Sequence, residues 1–248
     1  MTSATESIRP GVFLTAEWRH LAMLNYEIDP HALVPFVPAG TELDFKDGKS
    51  YVSVVGFLFR NVRIAGIPIP FHRHFEEVNL RFYVRRNVDG DWRRGVVFIK
   101  ELVPRRAVAC IARRFYNENY SALPMSHRID KFRGEIKSVS YSWRFMRHAN
   151  SMRVIVRGKA QPLVPDSLQE FITEHHWGYS AQQDGSTKEY LVEHPRWNVW
   201  ETEAAEFQCD VAGVYGREFC ECFDRAPSSA FLVDGSDVRV YRGIKLAI

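Results

Sequence analysis

The sequence predicts an α+β fold, mainly antiparallel β, and three observations carry that expectation. Aromatic residues make up 13% of the chain, which suits pleated, half-buried surfaces. Strand-like runs recur from one end to the other, with only a few helical segments between them. Asp-Gly dipeptides at 89–90 and 234–235 sit between such runs and signal tight hairpins.

Residues 12–28 read as one long extended segment, after which Asp29 and Pro30 supply an N-cap and first-turn proline for a short helix through residues 31–36. Residues 51–64 are apolar on both strand faces, as in a strand buried on both sides, and a proline-rich crossover follows at 66–75. From 77 to 84 the pattern alternates: Val78, Leu80, Phe82 and Val84 on one side, Glu77, Asn79, Arg81 and Tyr83 on the other. The Asp89-Gly90 turn leads into an antiparallel partner at 92–103. Pro104 then opens a helical pattern whose apolar stripe is Ala107, Cys110, Ile111 and Phe115.

Residues 138–147 and 151–160 flank His148-Ala149-Asn150 as a hairpin, and Asp166 caps a helix through 167–177. Strands at 187–195 and 197–207, a helix at 211–223 and a strand pair over 229–243 turned at Asp234-Gly235 complete the chain. No linker-like stretch divides the 248 residues. The expected organisation is a tail at 1–10 and a single domain at 11–248.

Composition excludes several classes. A chain that is 46% hydrophobic and 25% charged can build an ordinary globular core. The net charge of +3 is mild, and the arginine doublets at 85–86, 93–94, 105–106 and 113–114 do not form one stripe, so no nucleic-acid partner is expected. Cys110, Cys209, Cys220 and Cys222 are spaced like neither a disulfide framework nor a zinc knuckle. The first residues lack a basic stretch followed by an apolar core, and no run approaches the roughly 18 apolar residues of a membrane span. A cytoplasmic chain without membrane contact is expected. The expected partner is a small-molecule ligand, with self-association left open.

The glycines form no phosphate-cradling loop, and neither a nucleophile elbow nor a paired-histidine zinc motif occurs, so no cofactor is expected. His72 and His74 share a strand-like segment but lack a third ligand at recognisable spacing, and no metal site is assigned. The polar face Glu77, Asn79, Arg81 and Tyr83 is the stronger candidate. In a closed barrel it would line an interior cavity, where Arg81 could pair a carboxylate and Glu77 transfer a proton. Lys100-Glu101 lies in a strand that is otherwise apolar on both faces, which places one of the two charges in a desolvated position. A desolvated lysine there could be a nucleophile.

Residues 77–86, 95–125, 171–180 and 228–243 together resemble the YqjF-like family of uncharacterised bacterial proteins, a domain of unknown function, and the resemblance spans nearly the whole chain. That family is similar, more distantly, to the acetoacetate decarboxylases. The resemblance implies an acetoacetate decarboxylase-like closed, barrel-like sheet around an apolar cavity, with flanking helices. By the same resemblance Arg19 and Glu77 stand where those enzymes carry a catalytic arginine and glutamate. Their Schiff-base lysine has no counterpart: Tyr120, Ser121 and Met125 are the nearest residues, and none can condense with a ketone. The resemblance implies catalytic roles for Glu77 and Arg19 and a ligand contact for Tyr120, and the polar strand face adds Arg81, Asn79 and Tyr83 as ligand-binding candidates. Two readings stand, a lyase, hydratase or isomerase of a small oxo acid that uses no imine, and a non-catalytic small-ligand-binding module.

Overall fold

Seventeen residues form β1 (Val12–Ile28), and the rest of the fold assembles around it. The computed structural model describes residues 10–246, with the side chains of residues 112–116 outside the description. All of the expected tail but Pro10 therefore lies outside the described residues, as do the side chains of the Arg113-Arg114 doublet and of Phe115. In chain order β2 (Ser50–Ile64), β3 (Phe75–Val88) and β4 (Asp91–Val103) follow, each antiparallel to the one before, with β2 also paired to β1. Short β5 (Tyr120–Ala122) runs parallel to β4. The meander β6 (Met125–Phe132), β7 (Glu135–Phe145) and β8 (His148–Pro162) comes next, then β9 (Trp177–Ala181), β10 (Thr187–Glu193), β11 (Asn198–Gln208) and β12 (Ser229–Tyr241).

Seven of these strands close on themselves. β12 pairs with β1 and also with β10, β10 with β9, and β9 with β4 in parallel at Trp177↔Gly95. This barrel-like ring leaves its own strands without a free edge. From β12 the sheet also runs outward through β11, β8, β7 and β6. This outer layer packs Tyr141, Trp143, Met152 and Val154 on the outward side chains Ala22, Leu24, Val54 and Leu80 of the ring. Gly56 permits the close approach, since a Cβ there would stand 2.5 Å from the Tyr141 ring. Inside the ring a second apolar cluster includes Leu21, Met23, Val55, Phe57, Phe59 and Phe75.

The helices are short. Asp29 caps α1 (Pro30–Leu33) by accepting from the His31 amide, as the sequence predicts. The longest, α2 (Arg106–Tyr116), lies against the ring between β4 and β5. In α3 (Leu168–Thr173) the cap is Ser167 instead of Asp166, and Glu170 reaches back to the Asp166 amide.

Other expectations change. The helix expected over 211–223 is broken into short turns at Gly216, whose φ of 125° no helix accommodates. The hairpin between β7 and β8 turns at Met146-Arg147, one step before the expected His148-Ala149-Asn150. Residues 229–241 form one strand, and Asp234-Gly235 is a kink in it; the β1 carbonyl of Trp18 would lie 2.0 Å from a Cβ at position 235. Three of the strands named above lie outside the expected set: β5, β6, which turns into β7 at Arg133-Gly134, and β9, whose first residue Trp177 falls in the expected helix.

Candidate active site in the ring interior

Alternation along β3 turns Phe75, Glu77, Asn79 and Arg81 inward, while Val78, Leu80 and Phe82 face the outer layer. The inward face borders a cavity of about 160 Å³. Its walls are mainly aromatic and aliphatic, with Trp18, Phe57, Phe59, Phe98 and Trp197 prominent. α2 contributes Ala107, Val108 and Ile111 from outside.

The polar groups gather into one network. Glu77 is 2% exposed; its Oε1 accepts from Asn79 Nδ2 at 3.0 Å, and its Oε2 accepts from the Tyr120 hydroxyl at 3.2 Å. Glu101, equally buried, faces the same phenol. Glu118, on the chain between α2 and β5, accepts from the Tyr190 hydroxyl. Tyr190 lies across Gly178 of β9, where even a Cβ would strike its ring at 2.1 Å, so that glycine opens the space through which the phenol reaches Glu118. Arg81 donates to the Ile172 carbonyl at 3.1 Å. Three buried polar atoms of this network have no partner: Asn79 Oδ1, Arg81 Nε and Glu101 Oε2.

Burial governs the ionisation of this network. Desolvation pushes the Glu77 carboxyl up to about 7, against the pull of Asn79, Tyr120 and Arg81. Burial raises Glu118 to about 8, opposed by its bond from Tyr190 and reinforced by the nearby Glu77. Glu101 is raised by burial and by the charges of Glu118 and Glu77. At neutral pH the cluster therefore holds protons that ordinary carboxyls would have lost.

Of the six residues singled out from the sequence, Glu77, Asn79, Arg81 and Tyr120 meet at this cavity. Tyr83 and Arg19 do not line it. Tyr83 is inside the ring but lies beyond Arg81, its hydroxyl 2.6 Å from Ser53 Oγ and its ring packed on Phe171 and His175. Arg19 faces away, held by Glu17 at 3.0 Å and by the Gly235 carbonyl at 3.3 Å. The cause is a bulge: His20 has φ 57°, the register with β2 slips between Arg19 and Ala22, and Trp18 takes the inward place beside Leu21 and Met23.

A second bulge decides between Lys100 and Glu101. Val84 pairs with Gly95 and Arg81 with Phe98, a register that would set Lys100 opposite Asn79 if it continued. One extra residue in β4 sets Leu80 opposite Lys100 and Asn79 opposite Glu101 instead. Glu101 thus enters the cavity, and Lys100 points outward, its Nζ 5.9 Å from the Phe145 ring centre. The desolvated charge foreseen in this strand is mainly the glutamate.

Sequence reasoning missed Glu118, Tyr190, His175 and Trp18 as cavity residues. His175 is fully inside, its Nε2 3.0 Å from Asp44 Oδ2 and its Nδ1 beside the Phe171 carbonyl. Burial disfavours the Asp44 charge, yet bonds from His175 and Arg94 hold that carboxyl down to about 2. Trp197 is part of the cavity wall and donates to Ser236 Oγ at 2.8 Å. Among the described residues no group of three or more His, Cys, Asp or Glu is arranged to hold a metal ion, and no helix is long and apolar enough to cross a membrane. His72 reaches the cavity wall, whereas His74 is exposed.

A family model, DUF2071, described as uncharacterized conserved protein, matches residues 15–237. The uncharacterized protein YqjF of Bacillus subtilis (strain 168) is 25% identical over 216 residues, covering 84% of this chain and 83% of its own. Among solved structures, the enduracididine biosynthesis enzyme MppR superposes with a TM-score of 0.68 at 13% identity, over 100% of this chain and 94% of its own. Acetoacetate decarboxylase from Legionella pneumophila does so with a TM-score of 0.65 at 13% identity, over 99% and 92%.

Proposed function

We propose, for a chain that belongs to the DUF2071 family of uncharacterised conserved proteins and has the acetoacetate decarboxylase-like fold, that the cavity binds a small oxo acid and that Glu77 transfers a proton on it. The reaction class is that of a lyase, hydratase or isomerase working without an imine. The observation that carries this reading is the Glu77 carboxyl, held by Asn79 and Tyr120 on the wall of an apolar cavity and raised to about 7. A general base works best with a pKa near the operating pH, because it is then both available and strong enough.

Arg81 is the one Lys or Arg among the described lining residues and has a free buried Nε to offer a carboxylate. Tyr120 would donate to the substrate carbonyl, so that an enolate formed when Glu77 takes the α-proton is stabilised where its charge develops. Glu77 then returns the proton to carbon or to oxygen. Arg19 has no part in this scheme. MppR has been solved with pyruvate, which supports oxo acids as the class to test first.

The test is solvent exchange. In deuterated buffer the protein should wash out the α-hydrogens of 2-oxobutanoate, followed by NMR, and Glu77→Gln should slow this at least about a hundredfold. Binding without exchange would sink the catalytic reading. A second reading, a non-catalytic binding module, is favoured by one observation: no lysine is among the described lining residues, and Lys100 faces the outer layer. Borohydride treatment with ligand present should leave no lysine adduct, and a mass increase at Lys100 would overturn both accounts of the missing amine.

A further inference from the structure

We infer that the oxo acid taken by this cavity carries an apolar tail, aromatic or branched, where pyruvate has only a methyl group. This rests on the oxo-acid reading above and goes on to name the substrate class. The first observation is size. At roughly 10–15 Å³ for each water-sized occupant, a cavity of about 160 Å³ takes a ligand of about a dozen heavy atoms, and a three-carbon acid would leave about half of it unfilled.

The second is the order of chemistry along the ring. The inward residues of β3 run Phe75, Glu77, Asn79, Arg81, an apolar group, an acid, an amide and a cation in sequence. Same-face neighbours on a strand are about 6.6 Å apart, so the wall changes character along its length. The partner strand β2 stays apolar alongside, with Phe59 opposite Phe75, Phe57 opposite Glu77 and Val55 opposite Asn79, and turns polar only at Ser53 opposite Arg81. A tail-bearing oxo acid has the same order, from tail through reacting carbon and carbonyl to carboxylate. The carboxylate, carbonyl and enolisable carbon of such an acid are successive bonded atoms, so they sit together where the side chains of β3 converge, Asn79 Nδ2 being 3.0 Å from Glu77 Oε1 with Arg81 beside them, and the tail extends toward Phe75.

The third is the construction of that far end. Phe59 stacks on Phe75 with centroids 4.8 Å apart, Phe57 meets Phe59 at 5.1 Å, and Trp18 stands edge-on to Phe57 at 5.3 Å. Val62 lines the space past them. These rings give that end of the cavity an apolar wall, which favours an apolar group.

Calorimetric titration of the protein with pyruvate, 4-methyl-2-oxopentanoate and phenylpyruvate tests the inference. Both tail-bearing acids should bind at least about tenfold more tightly than pyruvate, the increment expected from burying a leucine- or phenylalanine-sized group. Val62→Phe, which fills the tail end, should abolish that preference and leave pyruvate affinity within a factor of two or so; if it does not fold, Val62→Leu, a smaller filling of the same end, serves in its place and should reduce the preference. Pyruvate binding as tightly as the longer acids would overturn the tail while leaving the oxo-acid reading intact. Failure of all three acids to bind would remove that reading and the inference with it.

Discussion

At Glu77 two effects oppose each other. Burial inside an apolar ring resists the negative charge, while bonds from Asn79 and Tyr120 and the field of Arg81 favour it, and burial wins. A carboxyl whose folded-state pKa lies above the ordinary 4.5 keeps a proton that the unfolded chain has released. Its contribution to stability is therefore complete at acid pH and is lost as pH rises from about 4.5 through about 7. Between pH 5 and pH 8 the melting temperature of the native protein should fall more than that of Glu77→Gln. The difference should be about 2–3 kcal/mol, roughly 5–10 °C for a chain of this size.

Asp44 illustrates the opposite outcome. It is 2% exposed, but His175 and Arg94 donate to it from two sides, so its charge is retained. Replacing it with alanine leaves His175 buried without its acceptor and should cost about 3 kcal/mol, read as a lower denaturant midpoint at unchanged slope. Glu77, Asn79, Arg81 and Tyr120 could be singled out from one alternating strand and one family resemblance. Glu118 and Tyr190 could not, because nothing local marks either one and they meet only after β10 has come round beside the α2–β5 connection.

Strands decide which of these side chains reach the cavity. Period-two alternation is legible in 77–84, and the structure keeps it. It fails at Arg19 and at Lys100-Glu101, where a single extra residue reverses the face of everything on one side of it. A bulge is invisible in a run of apolar residues, since either register buries something apolar. The Asp-Gly dipeptides make the same point. At 89–90 the pair turns a hairpin, with Val88 opposite Asp91, whereas at 234–235 it kinks a continuous strand beneath β1. Gly235→Ala should therefore be far worse than Gly90→Ala. The former drives a Cβ against the Trp18 carbonyl and should cost about 2–3 kcal/mol or prevent folding, through strain and overpacking. The latter has open space around it and should cost about 1 kcal/mol through its positive φ alone. Parallel thermal melts of the two variants measure the contrast.

On the scale of the whole molecule, β12 belongs to both the ring and the outer layer, so the cavity wall and its outer support are one continuous sheet. The two are also joined by packing at Gly56 beneath Tyr141 and Met152. Gly56→Val should force them apart and cost about 2 kcal/mol in equilibrium unfolding. Because position 56 faces the outer layer, ligand affinity should fall much less than stability does, and a large loss of binding would show that the outer layer shapes the cavity directly.

The sequence by itself determined the fold class, the long strand at 12–28, the β3–β4 hairpin and the polar face that became the cavity wall. These are local properties, set by pleat alternation, turn chemistry and capping within a few residues. Only the tertiary structure decided that Trp18 and Glu101 point inward, that Arg19 and Lys100 do not, and that Glu118 and Tyr190 complete the site. Those outcomes depend on where each bulge falls and on how the ring closes, and both are fixed by pairing with strands distant in the chain.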